Sequence, residues 1–235
     1  MDFHFLNNGL PVDAVFSDED VETIYIPLLQ RLMKLQEQKN RRILVMLAAP
    51  PGAGKSTLAA FLGELSKNPG LQPVTVIGMD GFHHYQDYLL SHYETRNGET
   101  IPLVKVKGAP ETFNLAKLTE QIRLIADSET CKWPVYDRTL HNPVEDAVTV
   151  DGDIVLIEGN YLLLDEPGWK DLSGYADYTI FLCADEDNLR DRLVKRQVQS
   201  GKSPEDALHF VESSDLVNAR LVLARSKKAD LTLSV

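Results

Sequence analysis

The chain has 235 residues, 43% of them hydrophobic and 25% charged, which suits one large α/β domain or a domain with a lid. A formal net charge of −11 argues against nucleic acid as a main partner. No apolar run approaches the roughly 18 residues that cross a bilayer. The start Met1-Asp2-Phe3-His4 lacks the basic opening of a signal peptide, and Cys131 and Cys183 offer neither a disulfide framework nor metal spacing. A cytoplasmic enzyme with no membrane partner and with reduced, buried cysteines is the expectation.

Residues 1–16 read as a leading arm or hairpin turning at Asn8-Gly9. Ser17 and Asp20 form a capping box, after which Val21, Ile24, Leu28, Leu32 and Leu35 keep helical spacing, with Pro27 predicting a kink or restart. This accessory segment covers residues 1–40. A first strand is expected over 42–48 and a helix over 55–66, where Leu58, Ala59, Phe61, Leu62 and Leu65 mark one apolar face. A second strand runs Val74-Thr75-Val76-Ile77-Gly78-Met79 and ends at Asp80. Residues 81–110 have weak periodicity and read as a long irregular region of the kind that carries function.

Asn114 is placed to cap a helix reaching Asp127. Trp133-Pro134-Val135-Tyr136 is a short strand, Ile154-Val155-Leu156-Ile157 a buried one ending at Glu158-Gly159, and Tyr178-Thr179-Ile180-Phe181-Leu182 another. Helices over 185–200 and 204–226 precede a closing strand at Leu231-Thr232-Leu233. Strands alternating with helices imply a mostly parallel sheet. Ligands of such sheets bind beyond the carboxyl ends of the strands, where Asp80 and Glu158 fall.

The chemistry starts at Ala49-Pro50-Pro51-Gly52-Ala53-Gly54-Lys55-Ser56-Thr57. A strand feeding a glycine-rich turn that closes on Gly-Lys-Ser is the P-loop pattern, with Ala49 where the full pattern has glycine. Pro51, Gly52, Ala53, Gly54, Lys55, Ser56 and Thr57 are the candidate nucleotide cradle. Lys55 is placed for the β- and γ-phosphates and Ser56 for Mg²⁺, and the helix dipole adds positive potential. Asp80 has the position of a carboxylate that orients an acceptor hydroxyl and takes its proton, with Gly81 allowing an acceptor near the backbone. Glu158 is the candidate organiser of Mg²⁺. Arg190, Arg192, Lys195, Arg196 and Lys202 form a basic cluster over 185–203, read as a lid in which Arg192 or Arg196 closes on the triphosphate. Phe82, His83, Tyr136, Arg138 and His141 are candidate substrate residues.

In this order the motifs resemble the ATP-dependent small-molecule kinases that include uridine kinase, phosphoribulokinase and bacterial pantothenate kinase. Within that group they most resemble the bacterial branch labelled nucleoside/nucleotide kinase or fructose-transport-system kinase. Met79-Asp80-Gly81-Phe82-His83, Lys107-Gly108-Ala109-Pro110-Glu111-Thr112-Phe113 and Tyr136-Asp137-Arg138 with His141-Asn142-Pro143 carry the likeness, which spans about residues 43–233. It implies a P-loop kinase fold with a five-stranded parallel core, helices on its faces and a mobile lid. It also implies ATP and Mg²⁺ as cofactors, Asp80 as base, and a nucleoside contact from Tyr136 and His141. Gly108 and Asn114 depart from the uridine kinase pattern, which has acidic residues at both places. The insertion 86–110 carries Tyr88, His92, Arg96, Lys105 and Lys107, and the several cations among them would suit an acceptor bearing a phosphate or carboxylate. Relatives of this group form dimers or tetramers, so a homodimer is compatible.

A regulatory nucleotide switch or motor ATPase is the competing class. A GTPase would carry an Asn-Lys-x-Asp run and a transporter ATPase a Leu-Ser-Gly-Gly-Gln-like run, and neither occurs. Intact Lys55, Ser56, Asp80 and Glu158 argue against a pseudoenzyme.

Overall fold

The computed structural model describes residues 1–7, 10–96 and 98–235. β1 (Asp2–Asn7) and β2 (Leu10–Val15) pair antiparallel; the expected Asn8-Gly9 turn lies outside the described residues. Ser17 caps α1 (Asp18–Asp20) by accepting from the Asp20 N–H at 2.9 Å. A π-turn over Val21–Tyr25 then leads into α2 (Ile26–Lys39). Pro27 sits in the first turn of α2, where its missing N–H costs nothing, so the expected restart is a widened turn just upstream.

β3 (Ile43–Ala48) runs into the P-loop and α3 (Lys55–Leu65), followed by β4 (Val74–Gly78). The region after β4 is more regular than its sequence suggests. It contains α4 (Gln86–Ser91) and the hairpin of β5 (Tyr93–Arg96) and β6 (Glu99–Pro102). Leu89, Leu103, Val106 and Ala109 give it a small core of its own. α5 (Leu115–Asp127) follows, capped by Asn114, whose Oδ1 accepts from the Lys117 N–H at 3.0 Å. β7 (Cys131–Asp137) is longer than expected and pairs antiparallel with β8 (Asn142–Val150), outside the main sheet.

β9 (Ile154–Gly159), β10 (Tyr178–Cys183), α6 (Glu186–Gln199) and α7 (Pro204–Phe210) come next. A π-turn over Val211–Asp215 interrupts the expected single helix before α8 (Leu216–Arg225), and β11 (Leu231–Ser234) ends the chain. Both cysteines are free but only half-buried, so they are not core residues.

Five strands make the main sheet in the order β11-β10-β3-β9-β4, all parallel. Alternation along β3 divides the core. Ile43, Val45 and Leu47 face α2, α3 and α6, while Leu44, Met46 and Ala48 face α5, Trp133 and Trp169. Every β3 side chain is buried, as expected for a central parallel strand covered on both faces.

At the opposite end of the sheet from the P-loop, Asp177 fastens the start of β10. Its carboxylate receives two bonds from Arg41 at 2.7 and 2.9 Å and one from the Leu44 N–H at 3.1 Å, with the Lys39 ammonium 3.4 Å away. Burial would raise this carboxyl, but these partners outweigh it and hold it below the usual carboxylate range. A depressed folded-state pKa stabilises the fold above the unfolded value, and the contribution is lost as pH falls through the folded one. Asp177→Ala is expected to lower the urea unfolding free energy by about 1–3 kcal/mol at neutral pH, because the Leu44 N–H is left without its acceptor. The deficit should shrink on acidification; one that stays constant would remove the ionised form from the argument.

Candidate active site

Three strand ends converge. β3 delivers the P-loop, β4 delivers Asp80 within a short 3₁₀ turn (Met79–Phe82), and β9 delivers Glu158, which pairs in register with Leu47 on one side and Gly78 on the other. Gly52 and Gly54 take left-handed φ values of 84° and 87°, conformations that glycine adopts without strain. A Cβ on Gly54 would meet nothing within 4 Å, so space opens above the loop there. At Gly52 the neighbour is instead Leu193 of α6, whose Cγ would lie 2.9 Å from an added Cβ. Ala49 is fully buried and is not among the residues with positive φ, so alanine fits the first loop position without strain. The first intrahelical bond runs from the Leu58 N–H to the Gly54 carbonyl at 3.0 Å. The N–H groups of Lys55, Ser56 and Thr57 precede it, which is the arrangement that binds an anion at a helix N-terminus.

Ser56 Oγ donates to Glu158 Oε1 at 2.9 Å, and Lys55 Nζ lies 3.8 Å from Glu158 Oε2. The two carboxylates of the cleft are driven apart. Burial would raise Asp80, but the positive charges of His83, Lys55, Arg138 and Arg196 outweigh it and hold the group below its ordinary range. Burial raises Glu158, and the negative charge of Asp80 adds to the rise. Two neighbouring carboxyls whose pKa values are pushed apart are a signature of a functional cleft.

A second wall stands over Asp80. His83 Nδ1 lies 2.9 Å from the Asp80 carbonyl, and the imidazole packs against Phe113 at 3.9 Å and Tyr136 at 5.1 Å between ring centroids. Burial lowers the His83 pKa below the ordinary imidazole value. Burial also pushes the Tyr136 hydroxyl up to about 12, which leaves it a hydrogen-bond donor at neutral pH and not a base. Arg138 is exposed at the end of β7, and its positive charge is felt by Asp80, His83, Tyr136 and Glu158 alike.

Residues 44–234 match the phosphoribulokinase / uridine kinase family. The chain belongs to that family. It is 41% identical over 230 residues to the protein YggC of Escherichia coli K12, covering 97% of this chain and 93% of that one. It is 31% identical over 203 residues to pantothenate kinase of Bacillus velezensis, covering 74% of this chain and 60% of that one. The crystal structure of a "putative fructose transport system kinase" from Silicibacter sp. TM1040 superposes with a TM-score of 0.80 at 33% identity, covering 90% of this chain and 99% of that one. The protein is an ATP-dependent small-molecule kinase with a parallel five-stranded core.

The kinase distributes its other candidate residues unevenly. Pro51 and Ala53 are buried, while Thr57 is half-buried at the helix start. Arg196 lies 3.7 Å from Asp215, whereas Arg192 is exposed on α6 with no ion pair among the described residues. Arg190 is engaged by Asp187, Glu186 and Glu212. The Phe82 ring is buried in T-shaped contact with Trp133, so its contribution is packing beneath the Asp80 turn. His141 has a left-handed φ of 53° and offers its carbonyl, not its exposed ring, to Lys107 at 3.1 Å.

Gly108 has a φ of 100°, which explains glycine where uridine kinase has an acidic residue; its carbonyl accepts from the Tyr161 hydroxyl at 2.5 Å. Sequence reasoning did not single out Asn160, two residues beyond Glu158, whose buried side-chain oxygen has no hydrogen-bond partner among the described residues. The only available signal was its place after an apolar strand.

Gly81 does a different job from the one expected. A Cβ there would lie 2.2 Å from the Pro134 carbonyl oxygen, so it is the backbone of β7, and not an acceptor, that comes close. Gly81→Ala is expected to cost about 1–3 kcal/mol in thermal or urea unfolding and to reduce turnover by displacing Asp80. Wild-type stability would show that β7 can retreat.

Proposed function

We propose that the protein transfers the γ-phosphoryl group of ATP to a hydroxyl of a small polar metabolite, with Asp80 as the base. The observation that carries this reading is the pairing of the P-loop residues Ser56 and Lys55 with Glu158, beside an Asp80 kept ionised by surrounding cations. Asp80 would align the acceptor hydroxyl and accept its proton as the oxygen attacks phosphorus. Lys55 and a lid arginine, Arg196 or Arg192, would neutralise charge on the transferring group. His83, Tyr136 and Arg138 line the acceptor side.

Ser56 and Glu158 present hydroxyl and carboxylate oxygens, the donors Mg²⁺ prefers. Bound there with ATP, Mg²⁺ would supply charge neutralisation for the β- and γ-oxygens. The whole of residues 1–235 acts in this reading as one cytoplasmic kinase unit, with the acceptor-side insertion at 86–110 and the lid at 185–203.

The test is ADP release from Mg·ATP across nucleosides, sugars, sugar phosphates and vitamin precursors. One acceptor should raise the rate well above the acceptor-free rate. Hydrolysis that no acceptor stimulates but a protein partner does would transfer the chain to the switch class.

A further inference from the structure

The cations of the insertion are not equivalent. Arg96 is neutralised by Glu111. His92 is exposed and stacks on Tyr88 at 3.6 Å between centroids, and Lys105 is exposed. Lys107 is half-buried, and among the described residues its ammonium has neutral partners alone: the Gln86 side-chain oxygen at 2.9 Å, the His141 carbonyl at 3.1 Å and the face of the Tyr136 ring, 4.9 Å to the centroid. The Tyr136 ring also neighbours His83, which is bonded to the backbone of Asp80.

Arg138 follows on the same hairpin. The adjacent Asp137 accepts from the Thr139 and Leu140 N–H groups through Oδ1 at 2.7 and 2.9 Å and makes no ion pair with Arg138 among the described residues. Among the described residues no carboxylate stands at ion-pair distance from Lys107 or Arg138. A partly desolvated ammonium without a counterion is costly unless an anion completes it, and burial lowers the Lys107 pKa accordingly.

We infer that Lys107 and Arg138 form the anion subsite of the acceptor pocket, so that the hydroxyl presented to Asp80 belongs to a molecule that also carries a carboxylate or phosphate. This rests on the kinase reading above. Tyr136 and His83 would separate the anion from the reacting hydroxyl, giving a two-ended grip: cations at one end and the base at the other. A neutral alcohol would leave the ammonium unpaired, and that penalty is what would reject it.

The experiment compares matched probes by calorimetric titration into the full chain loaded with Mg²⁺ and a non-hydrolysable ATP analogue: glycerate against glycerol, and ribose 5-phosphate against ribose. At least one anionic probe should bind about ten- to a hundredfold more tightly than its neutral match, and whichever pair shows the preference identifies carboxylate or phosphate. Lys107→Met and Arg138→Gln should each reduce that preference by about tenfold or more. Lys107 also ties the insertion to the β7–β8 turn, so thermal unfolding monitors its fold. Arg138, exposed and without a side-chain hydrogen bond among the described residues, gives the cleaner variant.

Equal binding of the matched probes, failure of both anionic probes to bind at millimolar concentration, or an unchanged preference in Arg138→Gln overturns the inference. The two readings fail separately. Phosphorylation of a neutral alcohol unaffected by Arg138→Gln sinks the anion subsite and keeps the kinase. Anion preference with no phosphoryl transfer to any acceptor keeps the subsite and sinks the base role of Asp80.

Discussion

Asp80→Asn is expected to lower acceptor-stimulated turnover by roughly 10²–10⁴-fold while Mg·ATP affinity stays near that of the wild type. Asparagine keeps the size of the side chain and its place at the end of β4 but cannot accept a proton. The charges of His83, Lys55, Arg138 and Arg196 overcome the burial of Asp80 and keep it ionised. The acid limb that it imposes on kcat should therefore lie below about pH 4, the ordinary carboxylate value. Above that limb the base is already deprotonated, so raising the pH gains nothing from it. Wild-type turnover in Asp80→Asn, with ATP still bound, would remove Asp80 from the base role. A large loss of ATP affinity would instead make it a nucleotide ligand.

The fold places this chemistry by a simple device. β3, β9 and β4 are adjacent and parallel, so their carboxyl ends deliver the phosphate cradle, Glu158 and Asp80 side by side. The close approach is built from glycines. Gly78 makes room for the Glu158 carboxylate, 3.1 Å from where its Cβ would be, and Gly159 makes room for Met79, with only 2.2 Å to Sδ. Helix α6 is anchored by the fully buried Leu189 and Leu193, the latter against Gly52, while the stretch carrying Arg196 is exposed.

Much of this was legible in the chain because the signals were local. The apolar run of β3 followed by Gly-Lys-Ser, the Ser17 and Asn114 caps, and carboxylates ending apolar strands each depend on a few neighbouring residues. What was illegible depends on tertiary contact. β8 buries little beyond Pro143 and Val150 and carries a left-handed Asp146, so its sequence lacks the alternation of a strand. The insertion reads as irregular because its core is only four residues. Gly81 looked like room for a ligand, and only the fold shows the Pro134 carbonyl occupying that room. Arg96 and Lys107 are both cations of one segment, and only the position of Glu111 tells the neutralised one from the other.

Lys55→Met should produce the second large loss, about 10²–10³-fold in kcat, with weakened ATP binding as well. The lysine stands 3.8 Å from Glu158 and contributes to the field that keeps Asp80 ionised, so its removal has a second, separable consequence. Taking away a positive charge favours the protonated form of each neighbouring carboxyl, so both Asp80 and Glu158 pKa values should rise. The acid limb of the residual activity should then move to higher pH, an effect that lost phosphate contact alone cannot produce. Lys55→Arg keeps the charge while altering the geometry, so it should lower kcat without moving the limb. An unmoved limb in Lys55→Met would place the control of Asp80 with His83, Arg138 and Arg196.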